Sequence, residues 1–174
     1  SQQRMCKRLG IPFAHYQLGE GTTAHQLASH IRSLNHNEAV SGIILQLPLP
    51  AGIDTPAMQA LIDPLKDVEG ITPANLGRAF YRDQFLAPCT AQAALALIRA
   101  AGGDLRGLET VVVGHSEIVG KPLALMLLNA GATVTVCHVN TRRLAEHTRR
   151  ADLVVVAVGK PGLLKPDMVK PGAF

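Results

Sequence analysis

Hydrophobic and polar positions follow two rhythms along this chain. Up to about residue 87 the apolar positions come in short, interrupted groups. Beyond residue 105 they come in Val-rich runs separated by helical stretches. Residues 1–9 read as the tail of a helix, closed by Gly10 as a C-terminal cap. Residues 11–18 alternate and predict a strand. Thr23 with Gln26 three residues on is a capping-box pattern, and Leu27, Ile31 and Leu34 repeat at helical spacing to about Asn35. Residues 42–47 form a continuous apolar run bounded by Pro48, the pattern of a buried strand. Asp54-Thr55-Pro56 is a cap followed by a proline in the first turn, with Met58, Leu61 and Ile62 forming one short apolar face. Residues 63–89, rich in Pro, Gly and Asp, read as irregular. Thr90 reads as the cap of a helix through about Ala101, with Leu95 and Ile98 inward and Gly102-Gly103 ending it.

The second rhythm is more regular. Residues 110–114 predict a strand, 116–131 a loop and helix, 133–138 a strand, 141–151 a helix and 152–159 a strand. Alternating strands and helices with continuous Val-rich strands predict a parallel sheet with right-handed crossovers, a doubly wound dinucleotide-type unit. The fold class expected is therefore α/β in two parts. The boundary falls near residues 87–105, with the helix from Thr90 as connector. Ser1 opens the chain as if already inside a helix, and the last residues stop where a new strand begins. Both parts are expected to be incomplete pieces of a longer protein.

Composition narrows the function classes. Of 174 residues 47% are apolar and 17% charged, which excludes a disordered chain. Aromatics are 3% and Trp is absent, so the core is Ala, Val, Leu and Ile, as expected for helices on buried parallel strands. No apolar run reaches the roughly 18 residues of a membrane helix. The three Cys are far apart with no CxxC, which argues for a reducing, cytoplasmic setting rather than a disulfide framework; Cys89 and Cys137 read as small packing residues. The net charge of +4 raises the question of nucleic acid, but stacking aromatics are scattered. The one dense basic cluster, Arg142-Arg143 with Arg149-Arg150, reads either as solvated helix faces or as an attractor of a small anion. No His pair has the i,i+4 spacing of a helical metal site, and no metal is expected.

The loop after the first Val-rich strand runs Gly114-His115-Ser116-Glu117-Ile118-Val119-Gly120. The generic G-x-G-x-x-G spacing fails, because Ser116 and Val119 stand where glycines belong. The physical logic survives: Gly114 allows a tight turn, and the helix N-terminus can hold an anion, with Ser116 adding a hydroxyl donor. NAD-binding folds place an acid about 20 residues on for the ribose hydroxyls. Residues 134–140 contain none. Arg142 or Arg143 can instead pair with a 2′-phosphate, which favours NADP while leaving NAD open; alternatively both sit on an exposed helix start.

Taken in order, VSGIILQLPLPAGID, KDVEGITPANLGR, PCT, VVVGHSEIVGKP and AVGKPG resemble the methylenetetrahydrofolate dehydrogenase / methenyltetrahydrofolate cyclohydrolase family over essentially the whole chain. The resemblance implies an N-terminal α/β substrate domain (residues 1–89 here) and a Rossmann-like NAD(P)-binding domain (residues 90–174). It implies NADP-linked oxidation of 5,10-methylenetetrahydrofolate and, in many members, hydrolysis of the methenyl product to 10-formyltetrahydrofolate, commonly in a homodimer with no nucleic acid or membrane partner. Gln46 matches the family's active-site Gln, and Leu47 and Pro48 match pterin-pocket positions. Glu69 stands where the family usually has an Asp that anchors the pterin; a carboxylate accepts paired N–H bonds from that edge. Asp67 is expected to hold the loop before Gly70 together. Gly114, His115, Ser116, Ile118, Val139, Arg142 and Gly159 fall on the cofactor side. His115 is often Arg, and Val139 often Ser, in NADP users.

The largest departure lies at the start. Aligning Cys6 and Gly10-Ile11 puts the family's catalytic Lys position on Gln2, and neither Arg4 nor Lys7 shares its helical face. Water attack is therefore expected to be impaired, with a degenerate, non-catalytic folate- or dinucleotide-binding relative as the rival reading.

Overall fold

The structure is a computed structural model that describes residues 2–19, 21–81, 86–102 and 104–174. Helix α1 (Gln2–Leu9) ends as its sequence predicts. Gly10 adopts φ 69° and donates to the Lys7 carbonyl at 3.4 Å, while the Ile11 N–H reaches Cys6 at 2.9 Å. Helix α2 (Ala24–His36) starts on the predicted capping box: Gln26 N–H donates to Thr23 Oγ1 at 3.2 Å, and Thr23 N–H to Gln26 Oε1 at 2.9 Å. Leu27 and Ile31 are buried with Ile43, Met58 and Ile62 in one apolar cluster.

The other end of α2 is closed by a residue far away in sequence. Lys66 Nζ donates to the carbonyls of Leu34 (3.1 Å), Asn35 (2.6 Å) and Asn37 (2.8 Å). These are the carbonyls a helix C-terminus leaves without partners, and a cation there also meets the negative end of the helix dipole. Helix α3 (Thr55–Gln59) is capped by Asp54, which accepts from the Ala57 N–H at 3.1 Å.

Three predicted elements in this first part differ from the structure. Residues 11–18 form no strand; Ile11, Tyr16 and Leu18 are exposed, and no described segment offers them a ladder. Residues 42–47 reduce to a single parallel bridge between Ile43 and Asp67, with Ile43 N–H donating to the Lys66 carbonyl at 2.7 Å. An apolar run becomes a strand only where a neighbour takes up its backbone groups. Conversely, the stretch read as irregular contains helix α4 (Pro73–Phe80), with Thr72 as N-cap and Pro73 in its first turn. That is the same signal as Asp54-Thr55-Pro56.

Helix α5 (Cys89–Ala100) begins two residues earlier than a Thr90 cap predicts. Its N-cap is Pro88, without a side-chain cap, so Thr90 lies in the first turn. Leu95 and Ile98 point inward, and Gly102 adopts φ 95° at the end. Gly103 lies outside the described residues.

Strands β1 (Glu109–Val113), β2 (Thr133–Cys137) and β3 (Leu153–Val156) form a parallel sheet in the order β2-β1-β3, with α6 (Gly120–Asn129) and α7 (Leu144–Thr148) following β1 and β2. Helix α7 is shorter than the predicted 141–151. Successive strand residues face opposite sides, and both sides are covered. Val112 packs with Leu95, Ile98, Leu123, Met126 and Leu127, while Val111 and Val113 pack with Cys137 and Ala151. Beyond β3, Phe174 donates to the Asp152 carbonyl at 3.0 Å and accepts from Val154 N–H at 2.9 Å, a parallel pairing where the sequence predicts a strand to begin. Asp152 also accepts from Glu109 N–H at 2.8 Å and pairs with Lys170. Among the described residues no helix is long and apolar enough to cross a membrane.

The Lys66 clasp gives a test. Lys66→Met keeps the stem and removes three charge-assisted bonds. It is expected to lower the stability of the first part by about 2 kcal/mol, read as a lower urea midpoint with loss of helical signal.

Candidate functional site

The first half of the site is built around Asp67. Its side chain is fully buried, and Oδ2 accepts from Thr72 N–H at 2.8 Å and from Asn75 Nδ2 at 2.9 Å. Thr72 Oγ1 in turn accepts from Asn75 N–H at 3.3 Å, and Asn75 Nδ2 also reaches the Pro64 carbonyl at 2.9 Å. One carboxylate thus holds the loop before Gly70 and the start of α4, as predicted. Asn75 was not singled out in sequence; its spacing of three from the Thr72 cap is the signal that would have found it.

Gly70, at φ 66°, allows the next step. A Cβ there would stand 2.4 Å from the Ala87 carbonyl carbon, so only glycine lets the loop touch the chain entering α5. Cys89 Sγ lies 3.5 Å from the Val68 carbonyl, so the PCT segment borders DVEG; unlike buried Cys137, Cys89 is exposed rather than a packing residue. Glu69 is half-buried in this corner. Burial first, and then the charge of Asp67, hold its carboxyl above the ordinary glutamate value.

Gln46 is exposed and its Nε2 donates to the Leu47 carbonyl at 3.0 Å; the Leu47–Pro48 peptide is cis. Gln2 is exposed at the start of α1. Among the described residues no hydrogen bond joins Gln2, Gln46 and Glu69.

The second half lies along the carboxyl ends of the parallel strands, where such sheets bind ligands. Gly114 ends β1 at φ 119° and donates to the Cys137 carbonyl at 2.8 Å. A Cβ on Gly114 would stand 2.4 Å from the Ala157 carbonyl oxygen, and one on Gly120 would stand 2.1 Å from the Gly114 carbonyl oxygen. The first and last glycines of the loop are therefore in backbone contact, and the fold tolerates no side chain at either.

Ser116 has a further role beside the donor expected of it. Its Oγ accepts from the N–H groups of Val119 (3.3 Å) and Gly120 (3.4 Å), the residue before α6 and its first residue. Two of the amides expected to face an anion are thus partnered by the hydroxyl, which keeps its own hydrogen to donate. The rings of His115 and His138 stack at 4.9 Å, joining the glycine loop to the segment after β2. Ile118, Val139, Arg142 and Gly159 are exposed around this edge. Burial pushes the Cys137 thiol up, against a hydrogen bond with Thr141, which suits a packing residue and not a nucleophile. Among the described residues no group of three or more His, Cys, Asp or Glu is placed to hold a metal.

Both halves match family models. Residues 1–69 match the catalytic domain of tetrahydrofolate dehydrogenase/cyclohydrolase, and residues 88–174 match its NAD(P)-binding domain. The chain belongs to the tetrahydrofolate dehydrogenase/cyclohydrolase family. It is 54% identical over 173 residues to bifunctional protein FolD 2 of Ruegeria pomeroyi, covering 99% of this chain and 59% of that protein. Among solved structures it superposes on the bifunctional FolD enzyme of Campylobacter jejuni with a TM-score of 0.93 at 43% identity, covering 97% of this chain and 60% of that one. On the Trypanosoma brucei FolD structure, complexed with NADP cofactor and inhibitor, the TM-score is 0.91 at 35% identity, covering 97% of this chain and 58% of that one. The chain thus spans roughly three fifths of the length of such relatives. The two-part α/β architecture with a Rossmann-like parallel sheet is that of the family.

The raised Glu69 carboxyl has a thermodynamic consequence of definite sign. An acid that titrates higher in the fold than in the unfolded chain favours folding below its ordinary value of 4.5, and that advantage is lost as pH rises through its folded value. Glu69→Gln is therefore expected to melt at a higher temperature than the parent at pH 7. The two curves are expected to converge as pH falls to about 4, read by thermal unfolding across that range.

Proposed function

We propose that this chain carries the core of an NADP-linked oxidation of 5,10-methylenetetrahydrofolate to 5,10-methenyltetrahydrofolate, with the hydrolytic step to 10-formyltetrahydrofolate impaired. In this reading residues 1–89 hold the folate and residues 90–174 the cofactor, and the longer protein works as a homodimer. The observation that carries the reading is the glycine loop. Its two end glycines touch backbone to backbone at the carboxyl edge of a parallel sheet. That cradle suits a dinucleotide phosphate, which needs close backbone approach and N–H or O–H donors.

When bound, the nicotinamide cofactor supplies the hydride acceptor. The chain's part is to bind and orient. Gly114 and Ser116 take the phosphates, the Ser116 hydroxyl giving its hydrogen outward while its oxygen stays on the α6 amides. His115, Ile118, Val139 and Gly159 border the dinucleotide, and Arg142 offers the charge a 2′-phosphate requires in place of the missing acid. On the folate side, Glu69 accepts N–H bonds from the amino-pyrimidine edge, Leu47 and Pro48 flank the ring, and the Gln46 amide orients what lies beside it. Hydride transfer then rests on placement alone.

Hydrolysis asks for more. A water must be activated and a proton moved, and Gln2 has no charge and no titratable proton. An uncharged Gln2 at that position also supports a second reading, a relative that binds folate or dinucleotide without turnover.

Mixing the chain with methylenetetrahydrofolate and NADP is expected to yield reduced cofactor, read by its absorbance. Calorimetric binding of folate with no turnover favours the second reading instead. Gln2→Lys is expected to raise methenyltetrahydrofolate hydrolysis by about tenfold or more; an unchanged rate removes position 2 from the hydrolytic step.

A further inference from the structure

Helices α4 and α6 begin at the two half-sites and meet at their far ends. Helix α4 starts at Thr72, whose N–H is held by Asp67 two residues before Glu69. Helix α6 starts at Gly120, which is in contact with Gly114 and donates its N–H to Ser116 Oγ. At the opposite end, the side chain of Asn129, the last residue of α6, donates from Nδ2 to the carbonyl of Ala79 at 3.1 Å, one residue before α4 ends. Ala79 is itself buried. The acceptor is one of the carbonyls a helix C-terminus leaves without an intrahelical partner. One polar bond therefore closes a bracket: Glu69 loop, α4, Asn129, α6, glycine loop.

We infer that Asn129 is a positioning residue, which sets the placement of the folate half-site relative to the cofactor half-site without touching either ligand. This rests on the reading given under Proposed function. A second tie between the same regions, among the described residues, is apolar: α5 runs from the Gly70–Ala87 contact and packs Leu95 and Ile98 against Leu123, Met126 and Leu127 of α6. Apolar packing is non-directional and tolerates sliding, whereas a hydrogen bond fixes one register. Hydride transfer is sensitive to that register, since a misplacement of about 1 Å can cost on the order of 100-fold in rate.

The test uses the 174-residue chain and two variants that remove the donor. Asn129→Leu keeps bulk, and Asn129→Asp keeps shape. For each, the affinity for NADP alone and for methylenetetrahydrofolate alone is measured by calorimetry, with hydride transfer at saturation of both. The expected result is a fall in kcat of about tenfold or more, with each separate affinity and each KM within about twofold, and restoration of most of the rate in Asn129→Gln, which keeps an amide donor. An unchanged kcat in both donorless variants overturns the inference. So does a loss of rate that follows weaker binding of either ligand, which marks a merely structural role. Should Asn129→Leu fail to fold, Asn129→Asp decides alone. A parent chain that binds neither ligand overturns the functional reading, and the inference with it; a parent that turns over beside indifferent variants overturns only the inference.

Discussion

The buried carboxylate of Asp67 is the constraint on which the first part of the molecule depends. A charge-bearing group with no solvent contact must be met by donors, and here the donors are Thr72 N–H and Asn75 Nδ2. Meeting them fixes where α4 starts. The backbone of Asp67 bridges Ile43, and the residue before it clasps the end of α2 through Lys66. Strand-like segment, helix end and helix start are thus tied to two adjacent residues. That economy explains how this part keeps its shape with only an isolated bridge where a sheet was expected.

In the second part backbone contact takes over from side-chain donors. Val112 is fully buried between β2 and β3, and the loop that follows has room for nothing beyond backbone where Gly114, Gly120 and Ala157 meet. Steric exclusion at such positions is independent of pH and salt, unlike the polar corner at Asp67. The two halves of the candidate site therefore rest on different physics. The half around the glycine loop is set by shape, and the half around Glu69 by hydrogen bonds to a buried carboxylate.

This difference also decided what the sequence disclosed. Elements whose signal is local were legible: the Thr23–Gln26 capping box, the Gly10 cap, the Asp54 cap, and the alternation of Val-rich strands with helices. That the apolar runs of the first part would not become strands was not legible, because a run such as 42–47 carries no record of whether a neighbour will pair with it. Helix α4 was hidden by the Pro and Gly around it, although Thr72-Pro73 spelled the same start as Asp54-Thr55-Pro56. The candidate residues were legible only through ordered motifs taken together. Two of their supports were not: Lys66 and Asn129 act on partners 29 to 50 residues distant, at separations no local pattern encodes.

Asp67 organises the corner at the expense of its neighbour. Its charge, added to burial, makes the ionised form of Glu69 less favourable than in water. Under the proposed folate-site reading, an edge of N–H donors would stabilise the Glu69 charge, and a ligand without those donors would leave it as unfavourable as before.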